Sequence, residues 1–151
     1  MAIRFLSTIE KWKDFSNLAP YKINLDGEEW ESTEHYYQYK KYEKTDPEFA
    51  LQIKNTKSPK EVKKLSLTNK NYAPNWDEIK KDVLKKAALQ KFTTHKNLET
   101  LLLSTNNEEL IEANPDDYYW GEGADGTGQN TMGKILMEIR DYIKQNNKQN
   151  Y

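Results

Sequence analysis

A carboxylate, an amide and an amine are spaced so that they share one face of a predicted helix. Ser32 is a typical N-cap residue, and the helix that follows it is expected to run from about Thr33 to Tyr42. Glu34, Gln38 and Lys41 then stand at positions i, i+4 and i+7. Such a stripe can hold a charge near a reacting centre. A capping carboxylate with surface ion pairs is the alternative that the spacing leaves open.

Glu34 is expected in the first turn of that helix. The positive end of the helix dipole favours the ionised carboxylate there, so the sequence predicts that Glu34 stays charged at neutral pH. A charged carboxylate suits a group that orients water or stabilises positive charge on a sugar ring, and it suits a general acid poorly. The next residue, His35, is interpreted as a packed or capping histidine.

A second set of candidates lies in the glycine-rich segment 117–133, which holds five of the six glycines of the chain. Glycine lets the backbone approach a ligand closely. The segment also leads into the last predicted helix, whose free N–H groups can bind an anion such as phosphate. The predicted ligand-binding residues of this segment are Trp120, Gly121, Glu122, Gly123, Asp125, Gly126, Gly128 and Asn130. A flexible connection is the alternative.

Gly121, Gly123 and Gly126 spell G-x-G-x-x-G, but their context excludes a dinucleotide-binding fold. That fingerprint follows a hydrophobic strand and opens a βαβ unit. Here the acidic and aromatic stretch 116–120 precedes the glycines, and a single predicted helix follows them.

Trp76, just ahead of a long predicted helix, is a third candidate for ligand contact. An aromatic face can stack on a base, which contributes roughly 1–3 kcal/mol in nucleic-acid complexes. Core packing is the alternative for a single tryptophan. His95 is interpreted as structural.

The composition narrows the classes of function. The 23 basic residues are balanced by 24 acidic ones, and the net charge of −1 argues against a generic binder of the nucleic-acid backbone. The lack of cysteine excludes disulfides, thiolate metal sites and cysteine nucleophiles, and two histidines are too few for a zinc motif. We predict no metal and no cofactor.

Membrane and targeting signals are not recognisable in the sequence. No stretch approaches the roughly 20 apolar residues of a membrane span, and the first residues lack the apolar core of a signal peptide. We therefore expect a cytoplasmic protein with no membrane partner.

Helix signals dominate the rest of the chain, and the exception is a hairpin signal at Asp26-Gly27 within 22–30. Two short apolar runs, 98–103 and 108–111, are expected to be helical or partly extended. The remaining helix starts are predicted at Asp46-Pro47, at Ser58-Pro59, at Trp76 (to about Phe92) and near Thr131. The prediction is a mainly α single domain over 1–151, with a small β element near the N-terminus and a frayed tail at 147–151.

These motifs together resemble the NADAR (YbiA-like) family, and the resemblance extends over nearly the whole chain in the family's order. Leu18 departs from the phenylalanine that the family commonly has after Ser-Asn. The matching stretches are Phe15-Ser16-Asn17, Asp26-Gly27, Trp30 to Lys41, Asn75-Trp76, Asp117 to Gly133 and Leu136 to Arg140.

The resemblance implies a single-domain helical NADAR fold and N-glycosidase activity on ribosylated bases. Family members act on ribosylamino-pyrimidine phosphates, early intermediates of riboflavin synthesis, or remove ADP-ribose from guanine bases. We therefore expect a small ribosyl or ADP-ribosyl substrate, with ADP-ribosylated nucleic acid as an alternative partner. The resemblance makes Glu34 and Lys41 the catalytic residues, and it places Trp76, Trp120 and Glu122 around the ligand.

The matching stretches add Ser16, Asn17 and Gln38 to the predicted substrate-binding residues. In the resulting hypothesis Glu34 lies close to the ribose C1′, where it stabilises positive charge or activates water as the base leaves. Lys41 forms a Schiff base with the opened ribose or binds phosphate, while segment 117–133 holds phosphate or pyrophosphate. The rival classes are a nucleotide-binding module without turnover and a structural helical domain.

Overall fold

The computed structural model describes residues 1–149 and is mainly helical, as predicted. We call Asn17–Lys91 the central unit, and Met1–Ser16 with the chain from Phe92 onward the terminal unit, because the fold divides into these two compact parts. The elements are β1 (Ala2–Phe5), a 3₁₀ helix (Glu10–Phe15), β2 (Ile23–Leu25), β3 (Glu28–Trp30), α1 (Thr33–Tyr42), α2 (Pro47–Lys54), α3 (Pro59–Ser66), α4 (Trp76–Thr94), α5 (Lys96–Leu103), β4 (Glu109–Glu112) and α6 (Thr131–Gln149).

The predicted hairpin is present in the central unit. Strands β2 and β3 pair antiparallel, with Ile23 opposite Trp30. The two residues between the strands, Asp26 and Gly27, have φ angles of 56° and 79°, as a tight hairpin turn with two left-handed residues requires. The Tyr36 hydroxyl donates to Asp26 Oδ2 at 2.7 Å and so ties this turn to α1.

Three predicted helix starts are confirmed by their N-caps. The side chains of Ser32, Asp46 and Ser58 each accept a hydrogen bond from the backbone N–H three residues later, at 3.1, 3.2 and 3.2 Å. Each cap satisfies an N–H that the helix itself leaves unpaired, which contributes about 1 kcal/mol. Prolines occupy the first position of α2 and of α3, as expected.

Helix α3 runs alongside α1 in the same direction. Near the start of α1, His35 Nε2 donates to Thr56 O at 2.7 Å, just before α3 begins. At the other end, the Tyr42 hydroxyl donates to Ser66 O at 2.8 Å, at the last residue of α3. Tyr42 is fully buried in a cluster with Val62 of α3 and with apolar residues of α2. The middle of α3 therefore lies beside the middle of α1.

His35 has the packed role that the sequence indicates. A carbonyl oxygen only accepts, so the proton of the ring is on Nε2, which leaves Nδ1 to accept from the Ser32 hydroxyl at 2.6 Å. Burial lowers the pKa of His35. A neutral, doubly hydrogen-bonded ring locks the first turn of α1.

The terminal unit contains a parallel strand pair that local patterns do not predict. Strand β1 pairs with β4, from Ala2 opposite Glu109 to Phe5 opposite Glu112. Phe15 packs between Phe5 and Phe92, with ring centroids 5.9 and 5.8 Å away. The two apolar runs that the sequence left open between helix and strand have different structures: 98–103 is helical, and 109–112 is a strand.

The last helix begins at Thr131, as predicted, and continues through Gln149. Residues 147–149 of the expected frayed tail are thus helical, while the remaining two lie outside the described residues. No helix within 1–149 is both long enough and apolar enough to span a membrane.

Candidate functional site

The stripe on α1 is buried rather than exposed. Glu34 is 7 % and Gln38 is 6 % exposed, and Lys41 is half-buried. Gln38 Nε2 donates to Glu34 Oε1 at 2.9 Å. Neither Glu34 nor Lys41 forms an ion pair with any residue in 1–149. The alternative of surface ion pairs around a capping carboxylate is therefore wrong, since Ser32 caps the helix and Glu34 lies inside.

Burial changes the expected electrostatics of Glu34. Removal from water raises the pKa of Glu34, although the hydrogen bond from Gln38 and the positive charges of Lys63 and Lys41 act in the opposite direction. The helix dipole favours the ionised carboxylate, but desolvation by burial is the larger effect and shifts the pKa of Glu34 the other way. A carboxyl group with a raised pKa keeps its proton to higher pH than an exposed one, which suits general acid–base work.

Lys41 lies at the open end of the stripe. Its Nζ is 4.6 Å from the centre of the Tyr72 ring, a cation–π distance. Burial lowers the pKa of Lys41, and Lys80 lowers it further, whereas Glu34 and Asp77 raise it. A lysine with a lowered pKa has more of the neutral amine, the form that attacks a carbonyl or imine carbon.

One acceptor in the stripe has no partner. Gln38 Oε1 is buried without a hydrogen bond to any residue that the structure describes. An unpaired buried acceptor costs about 1–3 kcal/mol, and such atoms need an explanation in a native fold. A hydroxyl or amino donor of a ligand would satisfy this oxygen.

The structure brings Trp76 to the same face of α1. Its ring packs 5.0 Å from that of Tyr37, which stands one turn after Glu34 on the stripe. Trp76 is only 3 % exposed. Such burial leaves little ring surface for a stacked base, so the geometry favours a wall beside the stripe.

Ser16 and Asn17 are neighbours in sequence but belong to different units. In the terminal unit, the Ser16 N–H donates to Lys13 O at 3.0 Å and closes the 3₁₀ helix. In the central unit, the Thr33 hydroxyl donates to Asn17 Oδ1 at 3.2 Å. Asn17 therefore lies beside Thr33 in the first turn of α1, and Thr33 immediately precedes Glu34.

The glycine-rich segment pairs its backbone within the terminal unit. Glu122 N donates to Glu112 O at 2.9 Å, Asn130 N to Gly121 O at 3.0 Å, and Gly128 N to Glu122 O at 2.7 Å. The first N–H groups of α6 are also paired, because those of Thr131 and Met132 donate to carbonyls of 119 and 120. The backbone N–H groups at these positions are therefore not free to bind an anion, in contrast to the expectation from the sequence.

Its glycines permit close packing instead. A Cβ on Gly133 would overlap Leu110 O, and one on Gly128 would overlap Gly121 O. Asn130 continues this packing, since its Oδ1 accepts from Glu112 N at 2.9 Å and its Nδ2 donates to Leu110 O at 2.8 Å. The segment is fastened to β4, and the Asn130 amide is occupied by that strand.

The other predicted side chains of this segment have local partners. Glu122 pairs with Arg4 of β1 at 3.2 Å. Asp125 is exposed, and two hydrogen bonds from Thr127 lower its pKa. Trp120 is half-buried against Tyr119, with ring centroids 4.8 Å apart. Gly121 and Gly123 are buried, and Gly126 lies exposed with a φ of 81°.

Sequence reasoning missed two further amines. Lys63 and Lys80 act electrostatically on Glu34 and Lys41, respectively. In a chain with 23 basic residues, no local pattern distinguishes these two lysines from the rest. Only the parallel packing of α3 on α1 and the contact between Trp76 and Tyr37 bring them near the stripe.

A buried carboxyl group with a raised pKa beside a lysine with a lowered pKa is the equipment of an acid–base enzyme. The NADAR domain model matches residues 4–144. The chain is 37 % identical over 142 residues to N-glycosidase YbiA of Escherichia coli K12, covering 93 % of this chain and 88 % of that protein. The NMR structure of the E. coli protein YbiA superposes with a TM-score of 0.88 at 34 % identity, covering 97 % and 87 % of the two chains.

A plant relative is named for riboflavin biosynthesis. The chain is 35 % identical over 155 residues to the chloroplastic riboflavin biosynthesis protein PYRR of Zea mays, covering 93 % of this chain and 25 % of that longer protein. The chain belongs to the NADAR family. It is a hydrolase of the N-glycosidase class.

Proposed function

We propose that this N-glycosidase hydrolyses the bond between C1′ of a ribose and a nitrogenous base. The proposed substrates are the ribosylamino-pyrimidine phosphates of riboflavin synthesis or ADP-ribosylated guanine, free or in nucleic acid. The observation that carries the proposal is Glu34, which is buried on α1 with a raised pKa, hydrogen-bonded to Gln38, and on the same helix face as Lys41. The name of the Zea mays relative favours the riboflavin intermediates. A cytoplasmic location belongs to the same proposal.

Glu34 is proposed to move the proton that the reaction requires. Its protonated form gives a proton to the leaving nitrogen as the C1′–N bond breaks and positive charge develops at C1′. The resulting carboxylate stabilises that charge and takes a proton from the attacking water. The products are the free base and a ribose with a hydroxyl at C1′, and Glu34 is protonated again.

Lys41 has two chemical uses in this scheme. As a neutral amine it would add to C1′ of the opened ribosyl imine, release the base as an amine, and be freed when water hydrolyses the new imine. As a cation it would bind a phosphate of the substrate. The lowered pKa of Lys41 supports the first use.

Gln38 and Trp76 are proposed to orient the substrate. The unpaired Gln38 Oε1 would accept from a hydroxyl or amino group of the ligand, and Trp76 would form a wall beside the base. Substrate contact by Ser16 and by the glycine-rich segment, which includes Trp120 and Asp125, is a separate proposal. It would use exposed groups of that segment, because the backbone N–H groups named above are already paired.

The rival class is a nucleotide-binding module without turnover. Incubating the protein with ADP-ribosylated guanosine and with ribosylamino-pyrimidine phosphates, and following base release by chromatography, separates the two classes and ranks the substrates. Catalytic release of a free base supports the enzyme. Saturable binding of both ligands with no release would support the module, and no binding would support a structural domain.

A further inference from the structure

Two lysines near the stripe, Lys63 and Lys80, take no part in the chemistry proposed above. We propose that Lys63 of α3 and Lys80 of α4 form an anion subsite, beside Lys41, that binds the phosphate attached to the 5′-oxygen of the substrate ribose. This inference rests on the proposed function for its ligand. The same chemistry occurs in a phosphate monoester and in the pyrophosphate of ADP-ribose.

The position of Lys80 follows from the contact between α4 and α1. Trp76 opens α4 and packs against Tyr37. Lys80 stands four residues after Trp76, so it shares that face of α4. Lys41 stands four residues after Tyr37, on the same face of α1. The two amines therefore extend from neighbouring turns towards one region, and the Lys80 side chain is only 19 % exposed.

Lys63 reaches the stripe from the opposite helix. Because α3 is parallel to α1, with contacts at Thr56 and at Ser66, Lys63 lies at the level of Gln38 to Lys41. The charge of Lys63 lowers the pKa of Glu34, in agreement with this placement. Lys63 is exposed, and its side-chain amine has no hydrogen-bond or ion-pair partner among residues 1–149.

Amines are concentrated around Glu34 and Lys41. The charges that act on Glu34 and Lys41 are those of Lys63, Lys80 and Asp77, besides their own. Asp77 pairs with Lys80 at 3.0 Å, but its side chain is 87 % exposed, so the pair is readily exchanged for another anion. Protonation of Glu34 would increase the positive excess. A phosphate dianion suits such a group, since lysine amines bind phosphate as point charges.

Matched neighbours on the same helices supply the controls. Lys63→Gln and Lys80→Gln are compared with Lys64→Gln and Lys81→Gln, which remove the same charge from exposed positions one residue further along α3 and α4. The dissociation constants of ribose 5-phosphate, ADP-ribose and ribose are measured by titration calorimetry for the full chain and each variant. The binding of product-like ligands needs no turnover.

We expect ribose 5-phosphate or ADP-ribose to bind tighter than ribose, and the tighter of the two identifies the phosphate source. Each of Lys63→Gln and Lys80→Gln should weaken that ligand by about tenfold, since a charge-assisted hydrogen bond is lost. The two control variants should change it by less than about twofold. Lys63→Arg, which keeps the charge, should restore most of the binding.

Two results would overturn the subsite. One is equal weakening by the target and control variants, which would indicate a diffuse effect of net charge. The other is phosphorylated ligands that bind no tighter than ribose. Failure of the proposed function looks different, because the lysine-dependent binding would then persist in a protein that releases no base from any ribosyl substrate.

Discussion

Gln38 Nε2 donates to Glu34 Oε1 at 2.9 Å, across one turn of α1, and both residues are buried. This hydrogen bond stabilises the carboxylate and thereby lowers the pKa of Glu34, against the larger rise that burial causes. Gln38 thus limits how much burial raises the pKa of Glu34. The pH at which Glu34 changes its protonation state therefore depends on this contact as well as on burial and on the charges of Lys63 and Lys41.

The first prediction follows from that contact. Replacing Gln38 by Met keeps the size of the side chain but removes the donor, so the pKa of Glu34 should rise further. If protonated Glu34 gives the proton to the base, activity falls as pH rises through this pKa, and the alkaline limb of the kcat/KM profile should move to higher pH. Gln52→Met, at an exposed position of α2, is the control. An alkaline limb that does not move in Gln38→Met would show that Gln38 has no effect on the ionisation of Glu34.

The second prediction concerns Lys41. Because burial lowers its pKa, Lys41 should form an imine with an opened ribose near neutral pH, and borohydride should trap it. Mass spectrometry is then expected to find the adduct on the peptide that contains Lys41. Lys40, its neighbour, should remain unmodified. The absence of an adduct together with an active Lys41→Arg variant would exclude the imine route.

The third prediction is a dependence of stability on pH. The pKa of Glu34 is raised in the folded state, so the native protein holds this proton at pH values where the unfolded chain has lost it. The resulting stabilisation is complete below the unfolded pKa and is lost as pH rises through the folded one. Glu34→Gln cannot ionise and should therefore have a higher Tm than the parent, by a margin that widens from pH 4.5 towards pH 8.

Thermal unfolding followed by circular dichroism tests this margin, and each 1 kcal/mol should appear as about 2–4 °C for a chain of this size. Glu31→Gln, at an exposed position just before α1, is the matched control and should show no such widening. A Tm difference for Glu34→Gln that narrows with rising pH would mean that the carboxylate is stabilised by the fold.

The fourth prediction concerns the packing of the glycine-rich segment. Gly133→Ala would place a methyl group against Leu110 O and the Asn130 amide. Overpacking of this kind typically costs 1–3 kcal/mol. Urea unfolding should show this loss, whereas Lys134→Ala, at the next and exposed position of α6, should be close to neutral. A fully stable Gly133→Ala protein would contradict the close approach of β4 to α6.

Local chemistry explains why part of the fold was predictable. The caps Ser32, Asp46 and Ser58 and the Asp26-Gly27 turn act within a few residues, so their patterns are legible in sequence. The pair of β1 with β4 joins residues more than one hundred positions apart. No short window contains both strands.

The candidate site shows the same division. The spacing of Glu34, Gln38 and Lys41 predicted a shared helix face, and that face exists. The rise in the pKa of Glu34 was not predictable from the sequence, because it depends on desolvation, which is set by the packing of the whole unit. The glycine-rich segment was expected to offer free N–H groups, but several of them are paired with backbone carbonyls that are distant in sequence, such as Glu112 O. A local pattern does not show such pairing.

The most direct measurement is the rate of base release by Glu34→Gln with the best ribosyl substrate, beside the parent protein and Glu31→Gln. The side chain keeps its shape and loses its proton, so kcat should fall by at least about a hundredfold, as for other acid–base groups, while Glu31→Gln retains the parent rate. Turnover by Glu34→Gln within about threefold of the parent would show that Glu34 is not the catalytic acid–base group.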